Sequence, residues 1–249
     1  MRVPVVRGTI QRRILVNYRV DADVVARVLP APFRPKTVGG AAIAGVCLIR
    51  LAGIRPPGVP AALGVASENA AHRIAVEWDT PTGPREGVYI PRRDTSSRLN
   101  TLVGGRLFPG LHHRARFDVE EGGGRYRVAL ASADGVTRVL VDGALAPALP
   151  PDSVFGSLKA ASAFFERGAL GYSATAEPAR FDGLELRSLT WQVEPLRVDR
   201  VESSFFEDPA HFPPGAVAFD CALLMRDVPH EWRAHEPLKV GRVAAAPHR

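Results

Sequence analysis

The sequence predicts a single α+β domain over residues 1–249, with an antiparallel, barrel-like β-sheet as its core and a few flanking helices. Three observations support this fold class. Short β-branched or alternating segments outnumber helical patterns, they do not alternate regularly with helices, and no low-complexity linker divides the chain. The chain has 249 residues, of which 46% are hydrophobic, and it can therefore bury a sizeable core.

Strand patterns recur along most of the chain. The segment 41–51 is almost continuously apolar, so its periodicity alone leaves a helix open as the alternative. The segments 115–120 and 126–131 flank a glycine-rich turn and predict a β-hairpin. The segments predicted as strands are 14–20, 41–51, 73–78, 87–94, 115–120, 126–131, 137–141, 184–195, 198–203 and 216–225.

Three helices are predicted from capping residues and periodicity. Asp21 can cap a short helix, and Thr95 can cap a second one that runs to Leu102. An amphipathic pattern predicts the third helix over 157–167, with Gly168 as its stop.

The charge pattern favours a small ligand over a nucleic acid. The formal net charge is +6, but the basic residues are scattered and interleaved with acids, whereas nucleic-acid binding requires a basic stripe or cluster. Nearly all the positive charge is arginine. One interpretation is a general compositional bias, and the other is that a few arginines bind an anionic ligand through their forked guanidinium groups.

The sequence predicts a soluble, cytoplasmic protein that does not bind membranes. The first twenty residues carry arginines within their apolar pattern, which is not typical of a signal peptide or an anchor, and no segment has the length of a membrane span. Cys47 and Cys221 lie in separate apolar segments, which indicates buried free thiols. A homo-oligomer is compatible with the sequence.

No cofactor and no metal are expected from the motifs. The glycine clusters do not follow nucleotide-binding patterns. His230 and His235 are five residues apart, which would place their imidazoles on different faces of a helix and excludes a zincin site. The sequence also contains no G-x-S-x-G nucleophile elbow.

Residues 64–113 combine strand-like segments with many polar side chains, and they contain the candidate catalytic residues. Glu68 follows a long apolar region, so we expect it at a buried strand end, either in an ion pair or as a general acid or base. His112 and His113 are adjacent on a predicted strand, so at most one of them can face an interior and act opposite Glu68. A metal site that adds His72 to these residues is an alternative that we do not adopt.

The candidate substrate-binding residues are arginines and one amide. Arg92 and Arg93 end a predicted strand just before a predicted helix, where guanidinium groups and backbone amides can converge on an anion. In the other interpretation Asp94 caps the helix and both arginines face water. Asn69 and Arg106 complete the expected binding set.

Several of these segments resemble the acetoacetate decarboxylase superfamily, in particular its branch of uncharacterised bacterial proteins. The resemblance covers most of the chain. It rests on Tyr18-Arg19-Val20-Asp21 leading to Leu29-Pro30-Ala31-Pro32-Phe33, on Ser67-Glu68-Asn69-Ala70-Ala71-His72-Arg73, on Val88-Tyr89-Ile90-Pro91-Arg92-Arg93-Asp94, and on Gly105-Arg106 followed by His112-His113.

The resemblance implies a cone-like antiparallel β-barrel and, in acetoacetate decarboxylase itself, an interior lysine that forms a Schiff base with a β-keto acid. The family's pair of lysines matches His112 and His113, allowing a one-residue gap, and its catalytic glutamate matches Glu68. Its second interior glutamate falls near Gly45 and is absent. The family's substrate-binding arginine falls near Gln11, Arg12 and Arg13, without a firm assignment.

The expected function depends on the histidines that stand here in place of the family's pair of lysines. Imidazole cannot form the protonated imine, and Lys36, Lys159 and Lys239 do not align with the Schiff-base position, so Schiff-base decarboxylation is not expected. One hypothesis is an enzyme that performs acid/base chemistry on a small carbonyl or carboxylate compound. The alternative is a non-catalytic protein that binds or senses a small organic anion.

Overall fold

The computed structural model describes residues 5–102 and 110–239, and most of them lie in β-strands. In chain order the elements are β1 (Val5–Val20), α1 (Ala22–Val28), β2 (Arg34–Pro35), β3 (Thr37–Val38), β4 (Ala41–Arg55), a 3₁₀ turn (Ala61–Leu63), β5 (Val65–Thr80), β6 (Gly83–Thr95), α2 (Arg98–Leu102), β7 (His112–Gly122), β8 (Arg125–Ser132), β9 (Arg138–Leu145), α3 (Leu158–Arg167), β10 (Leu170–Ala174), β11 (Arg180–Ser188), β12 (Glu194–Ser203) and β13 (Val217–Lys239).

Hydrogen-bonded pairings join the long strands into two fused rings. Five neighbouring strands, in the order β13, β1, β4, β5 and β6, form a wall that both rings share. β10 and β11 connect β6 to the C-terminal half of β13 and close a seven-stranded ring. β7, β8, β9 and β12 connect the end of β6 to the first half of β13 and close a nine-stranded ring. The sheet is therefore not one regular barrel.

Alternate side chains of the shared wall face different rings, because successive residues of a strand point to opposite faces. On β5, Ser67, Asn69 and Arg73 border a cavity inside the seven-stranded ring. Ile74 and Val76 on the same strand pack into the apolar core on the other face. This alternation decides which of the polar residues in 64–113 can meet in one site.

An aromatic cluster holds the closing strands β10 and β11 against the wall. The ring centroid of Phe33 lies 5.7 Å from that of Trp78, 5.4 Å from Tyr89, 6.0 Å from Tyr172 and 5.2 Å from Phe181. Tilted and edge-to-face pairs at such distances each contribute roughly 0.5–1.5 kcal/mol beyond their apolar burial.

The predictions that rest on local signals are confirmed. Asp21 caps α1 by accepting hydrogen bonds from two backbone amides of its first turn. Ser157 caps α3, and Gly168 ends it. The hairpin of β7 and β8 forms as expected.

Other predictions need correction. The sheet contains two parallel pairings, β6 with β10 and β6 with β7, so it is not purely antiparallel. The segment 184–195 is not one strand, because β11 ends at Ser188 and β12 begins at Glu194. β10 was not predicted, and α2 begins at Arg98, three residues after Thr95. Among the described residues, no helix combines the length and the apolar character needed to cross a membrane.

Candidate functional site

A cavity of about 250 Å³ lies inside the seven-stranded ring, and all seven strands contribute to its lining. Most of the lining is apolar. Its charged residues are four arginines, Arg13, Arg55, Arg73 and Arg93, and one acid, Asp94, which is paired with Arg92. A mainly apolar pocket with a few converging charged groups is the usual form of a small-molecule binding site.

Arg13 and Arg73 face this cavity from β1 and β5. Arg13 donates from Nε to Sγ of Cys47 at 3.4 Å and from Nη1 to Sδ of Met225 at 3.8 Å. Arg73 donates from Nη2 to Oδ1 of Asn17, while its buried Nε has no acceptor among the described residues. In the part of the chain that the structure describes, neither guanidinium is paired with a carboxylate.

Arg93 faces the cavity from β6 and donates from Nε to Oγ of Ser173 at 2.9 Å. Within residues 5–102 and 110–239, which contain every Asp and Glu, none of these three arginines forms an ion pair. The one acid that lines the cavity with them, Asp94, is paired with Arg92. Arg55 differs, because backbone carbonyls of Gly53 and Val59 accept its hydrogen bonds.

Burial opposes these positive charges. It lowers the pKa of Arg73 to about 10, with a further contribution from the repulsion of Arg13. Burial also lowers the pKa of Arg93 to about 10. Both groups stay protonated at neutral pH, so the cavity carries several desolvated cations, and a buried charge without a partner is costly.

α3 covers the end of the ring that holds Arg73. The guanidinium carbon of Arg73 lies 4.8 Å from the ring centroid of Phe165. A space of about 30 Å³ behind Arg13 and Arg73 is lined by Phe164, Phe165 and Lys36. The Nζ of Lys36 pairs with Glu86 at 2.5 Å, so this lysine is engaged outside the main cavity.

His112 and His113 diverge, as expected for adjacent residues on a strand. His112 lines the cavity, where it is the register partner of Arg93 across the β6–β7 pairing. His113 instead places Nδ1 3.2 Å from Oδ2 of Asp134. Only His112 is placed to reach a molecule in the cavity.

Glu68 does not line the cavity, which corrects the expectation that it faces the same interior as a histidine. Its Oε2 lies 2.5 Å from Nη2 of Arg12, and its Oε1 lies 2.5 Å from Nε of Arg50. Glu121 completes the cluster by pairing with both arginines. Glu68 points to the opposite face of β5 from Asn69, and both of its carboxylate oxygens are paired with arginines. It is therefore not a candidate for acid/base chemistry in the cavity.

Arg92 and Arg93 also separate. The Nη2 of Arg92 lies 2.8 Å from Oδ1 of Asp94 and 2.8 Å from Oδ2 of Asp134. Burial raises the pKa of Asp94, although its bonds with Arg92 act in the other direction. The expectation that both arginines converge on one anion is therefore wrong, and only Arg93 lines the cavity.

The remaining predicted residues have different outcomes. Asn69 lines the cavity, but its amide donates to Ser67 and its Oδ1 accepts from Thr95 at 2.7 Å. Arg106 lies outside the described residues. His72 is fully buried, and burial lowers its pKa to about 3. In the part of the chain that the structure describes, no cluster of three or more histidine, cysteine or acidic residues could hold a metal ion.

Sequence reasoning did not assign Arg73 to the site and left Arg13 unresolved among its neighbours. A signal for Arg73 was present, because Ser67, Asn69, Ala71 and Arg73 share one face of a strand and Glu68 lies on the other. This alternation could be used only once the strand was known to start at Val65.

Comparison with solved structures identifies the fold. The enduracididine biosynthesis enzyme MppR with HEPES buffer bound matches with a TM-score of 0.60 and 13% identity, covering 97% of this chain and 89% of that one. The same enzyme complexed with pyruvate matches with a TM-score of 0.57 and 13% identity over 95% and 90% of the two chains. An acetoacetate decarboxylase-like enzyme from Sphingomonas wittichii RW1 matches with a TM-score of 0.57 and 11% identity over 95% and 92%.

No curated protein matches the chain in sequence. A family model does match, over residues 7–217, and its family is described as an uncharacterized conserved protein. The match spans most of the chain, including β1, β4, β5 and β6, which carry the cavity arginines. The chain therefore belongs to the DUF2071 family and has the fold of the acetoacetate decarboxylase-like enzymes.

Proposed function

We propose that this protein binds a small organic acid in the cavity of the seven-stranded ring, with the carboxylate held by Arg13, Arg73 and Arg93. The observation that carries the proposal is that none of the three arginines forms an ion pair with a described acidic residue. Guanidinium groups form paired hydrogen bonds with carboxylates, and they do so most strongly where water is excluded. A ligand carboxylate would supply the missing negative charge.

The structural neighbours support the same class of ligand. Pyruvate, a small carboxylic acid, is named in the complex of MppR. The low identity transfers only the fold, so the proposal depends on the arginines of this chain.

A thermal-shift screen of small acids tests the proposal, with each acid compared to its neutral primary amide. Acids are expected to raise the melting temperature of the wild-type protein, and the amides are expected to have little effect. Arg93→Met should remove most of the shift. Arg187→Met is the matched control, because Arg187 is an exposed arginine of β11 that does not line the cavity. Equal shifts with acids and amides would refute the proposal.

A second candidate function is catalysis on the bound acid, and the position of His112 favours it. This histidine lines the cavity beside Arg93, so an imidazole can exchange protons with a compound whose carboxylate is bound there. Once a ligand that is also converted is known, His112→Gln is expected to abolish turnover with little change in affinity. Binding without any turnover in the wild-type protein would leave only the binding function.

Imine chemistry is not part of either candidate. Lys159 and Lys239 are exposed, and Lys36 is paired with Glu86. Incubation with α-keto and β-keto acids plus borohydride, followed by intact mass measurement, is expected to give no covalent adduct. An adduct on Lys36 would restore Schiff-base chemistry.

A further inference from the structure

The cavity lining changes in character along its length. On β5 the residues that border it run from Val65, through Ser67 and Asn69, to Arg73. Eight residue steps separate Val65 from Arg73, which corresponds to about 26 Å along an extended strand. On the neighbouring β4, Ile54 is the register partner of Val65. One end of the cavity is therefore aliphatic and the other is cationic.

The cationic end is closed. Arg73 is 4% exposed and stacks on Phe165 of α3. Arg13 reaches the same region, because it donates to Cys47, whose register partner Ala71 also pairs with Arg93 across β5 and β6. The three guanidinium groups therefore face one part of the cavity from three strands.

The aliphatic end opens to solvent and offers few polar groups to a ligand. Leu99 and Val65 line it and are 47% and 39% exposed. Trp232 of β13 and Leu51 of β4 add apolar surface. The guanidinium of Arg55 at this end is already bonded to backbone carbonyls, so contact with a ligand here is mainly apolar.

We propose that the ligand is an amphipathic monocarboxylic acid, with a linear aliphatic chain of about six to eight carbons, bound with its carboxylate at Arg13, Arg73 and Arg93 and its chain towards Val65 and Leu99. The proposal rests on the proposed function and specifies its substrate class. The volume of about 250 Å³ corresponds to about eight water-sized groups at ~30 Å³ each, and hexanoate has that size. Shorter acids contact less of the apolar lining.

A homologous series of straight-chain acids from acetate to octanoate tests this, using titration calorimetry on the full chain. Each added methylene that is buried contributes about 0.8 kcal/mol, or about a fourfold gain in affinity. Hexanoate should therefore bind about two-hundredfold more tightly than acetate. The gain should continue to octanoate, because its extended chain is shorter than the span from Arg73 to Val65. Hexanamide completes the set as the neutral partner of hexanoate.

The outcomes separate the two proposals. Affinity that is flat across the series, or highest for acetate, would overturn the amphipathic ligand while the acid-binding function stands. Equal binding of hexanoate and hexanamide, or no binding of any acid, would overturn both.

Discussion

Replacement of Arg93 by methionine should make the ligand-free protein more stable while it weakens ligand binding. Burial lowers the pKa of Arg93 from 12.5 to about 10. Since each pKa unit corresponds to about 1.4 kcal/mol, the charged form is destabilised by about 3–4 kcal/mol at most, and the partial exposure of this side chain reduces that cost. Methionine keeps an unbranched, apolar side chain in the same space.

The gain is reduced by one lost hydrogen bond. Arg93 donates to Ser173, which is 1% exposed, and this bond contributes about 1 kcal/mol. The net stabilisation expected for Arg93→Met is therefore about 1–2 kcal/mol. For a chain of this size that corresponds to a rise of about 2–8 °C in melting temperature. Loss of one guanidinium should weaken hexanoate binding by about 2 kcal/mol, or about thirtyfold.

Differential scanning calorimetry of the ligand-free protein measures the first effect, and titration with hexanoate measures the second. Arg187→Met removes the same charge from an exposed position and should change stability by less than about 0.5 kcal/mol. A fall in melting temperature for Arg93→Met would show that Arg93 stabilises the fold through a partner. Unchanged hexanoate affinity would show that it does not hold the ligand. Either result would refute the reasoning.

Three further predictions concern other buried groups. Glu68→Gln should cost about 2 kcal/mol of unfolding free energy, because Arg12 is 1% exposed and would lose one of its two carboxylate partners, Glu121 being the other. Hexanoate affinity should not change, and a large loss of affinity would contradict the placement of Glu68 outside the cavity. Cys47 should react faster with iodoacetate than with iodoacetamide, because Arg13 donates to its sulfur and it lines the cavity that holds the arginines. Cys221, whose pKa burial raises to about 12, should remain unlabelled in the native state. Mass mapping checks both, and a preference of Cys47 for the neutral reagent would count against the cationic cavity. Burial lowers the pKa of His72 to about 3, so the unfolded state binds more protons and stability should fall as pH drops from about 6.5 towards 3. His72→Phe should lessen this slope in denaturation curves, and an unchanged slope would contradict the neutral state of the imidazole.

Much of the secondary structure could be predicted because its signals are local. The caps at Asp21 and Ser157 depend on residues within one helical turn. The β7–β8 hairpin is set by the turn between its strands. β10 was missed because its five residues, Leu170–Ala174, contain glycine and serine and lack an alternating pattern.

The closure of the rings could not be predicted. It depends on parallel pairings between segments far apart in sequence, such as Tyr89 with Tyr172, for which neither strand carries a local signal. Such pairings are decided by tertiary packing, here by the aromatic cluster around Phe33.

The candidate site could be predicted only in part, because it too depends on the pairing of strands that are distant in sequence. The stretch 64–113 supplies Asn69, Arg93 and His112 to the cavity. The sequence indicated that Glu68 could be paired. Its partners Arg12 and Arg50 come from other strands, and the sequence does not reveal the register between those strands and β5. Side-chain direction on β5 separates Glu68 from the cavity, and it becomes clear only when the strand limits are known.

The most direct test of the central claim is a crystal structure with 6-bromohexanoate, in which anomalous scattering locates the bromine. We expect carboxylate oxygens at about 2.7–2.9 Å from guanidinium nitrogens of Arg73 and Arg93, with the bromine towards Val65. A ligand bound outside the cavity, or in the cavity with its carboxylate directed to solvent and away from the arginines, would contradict it.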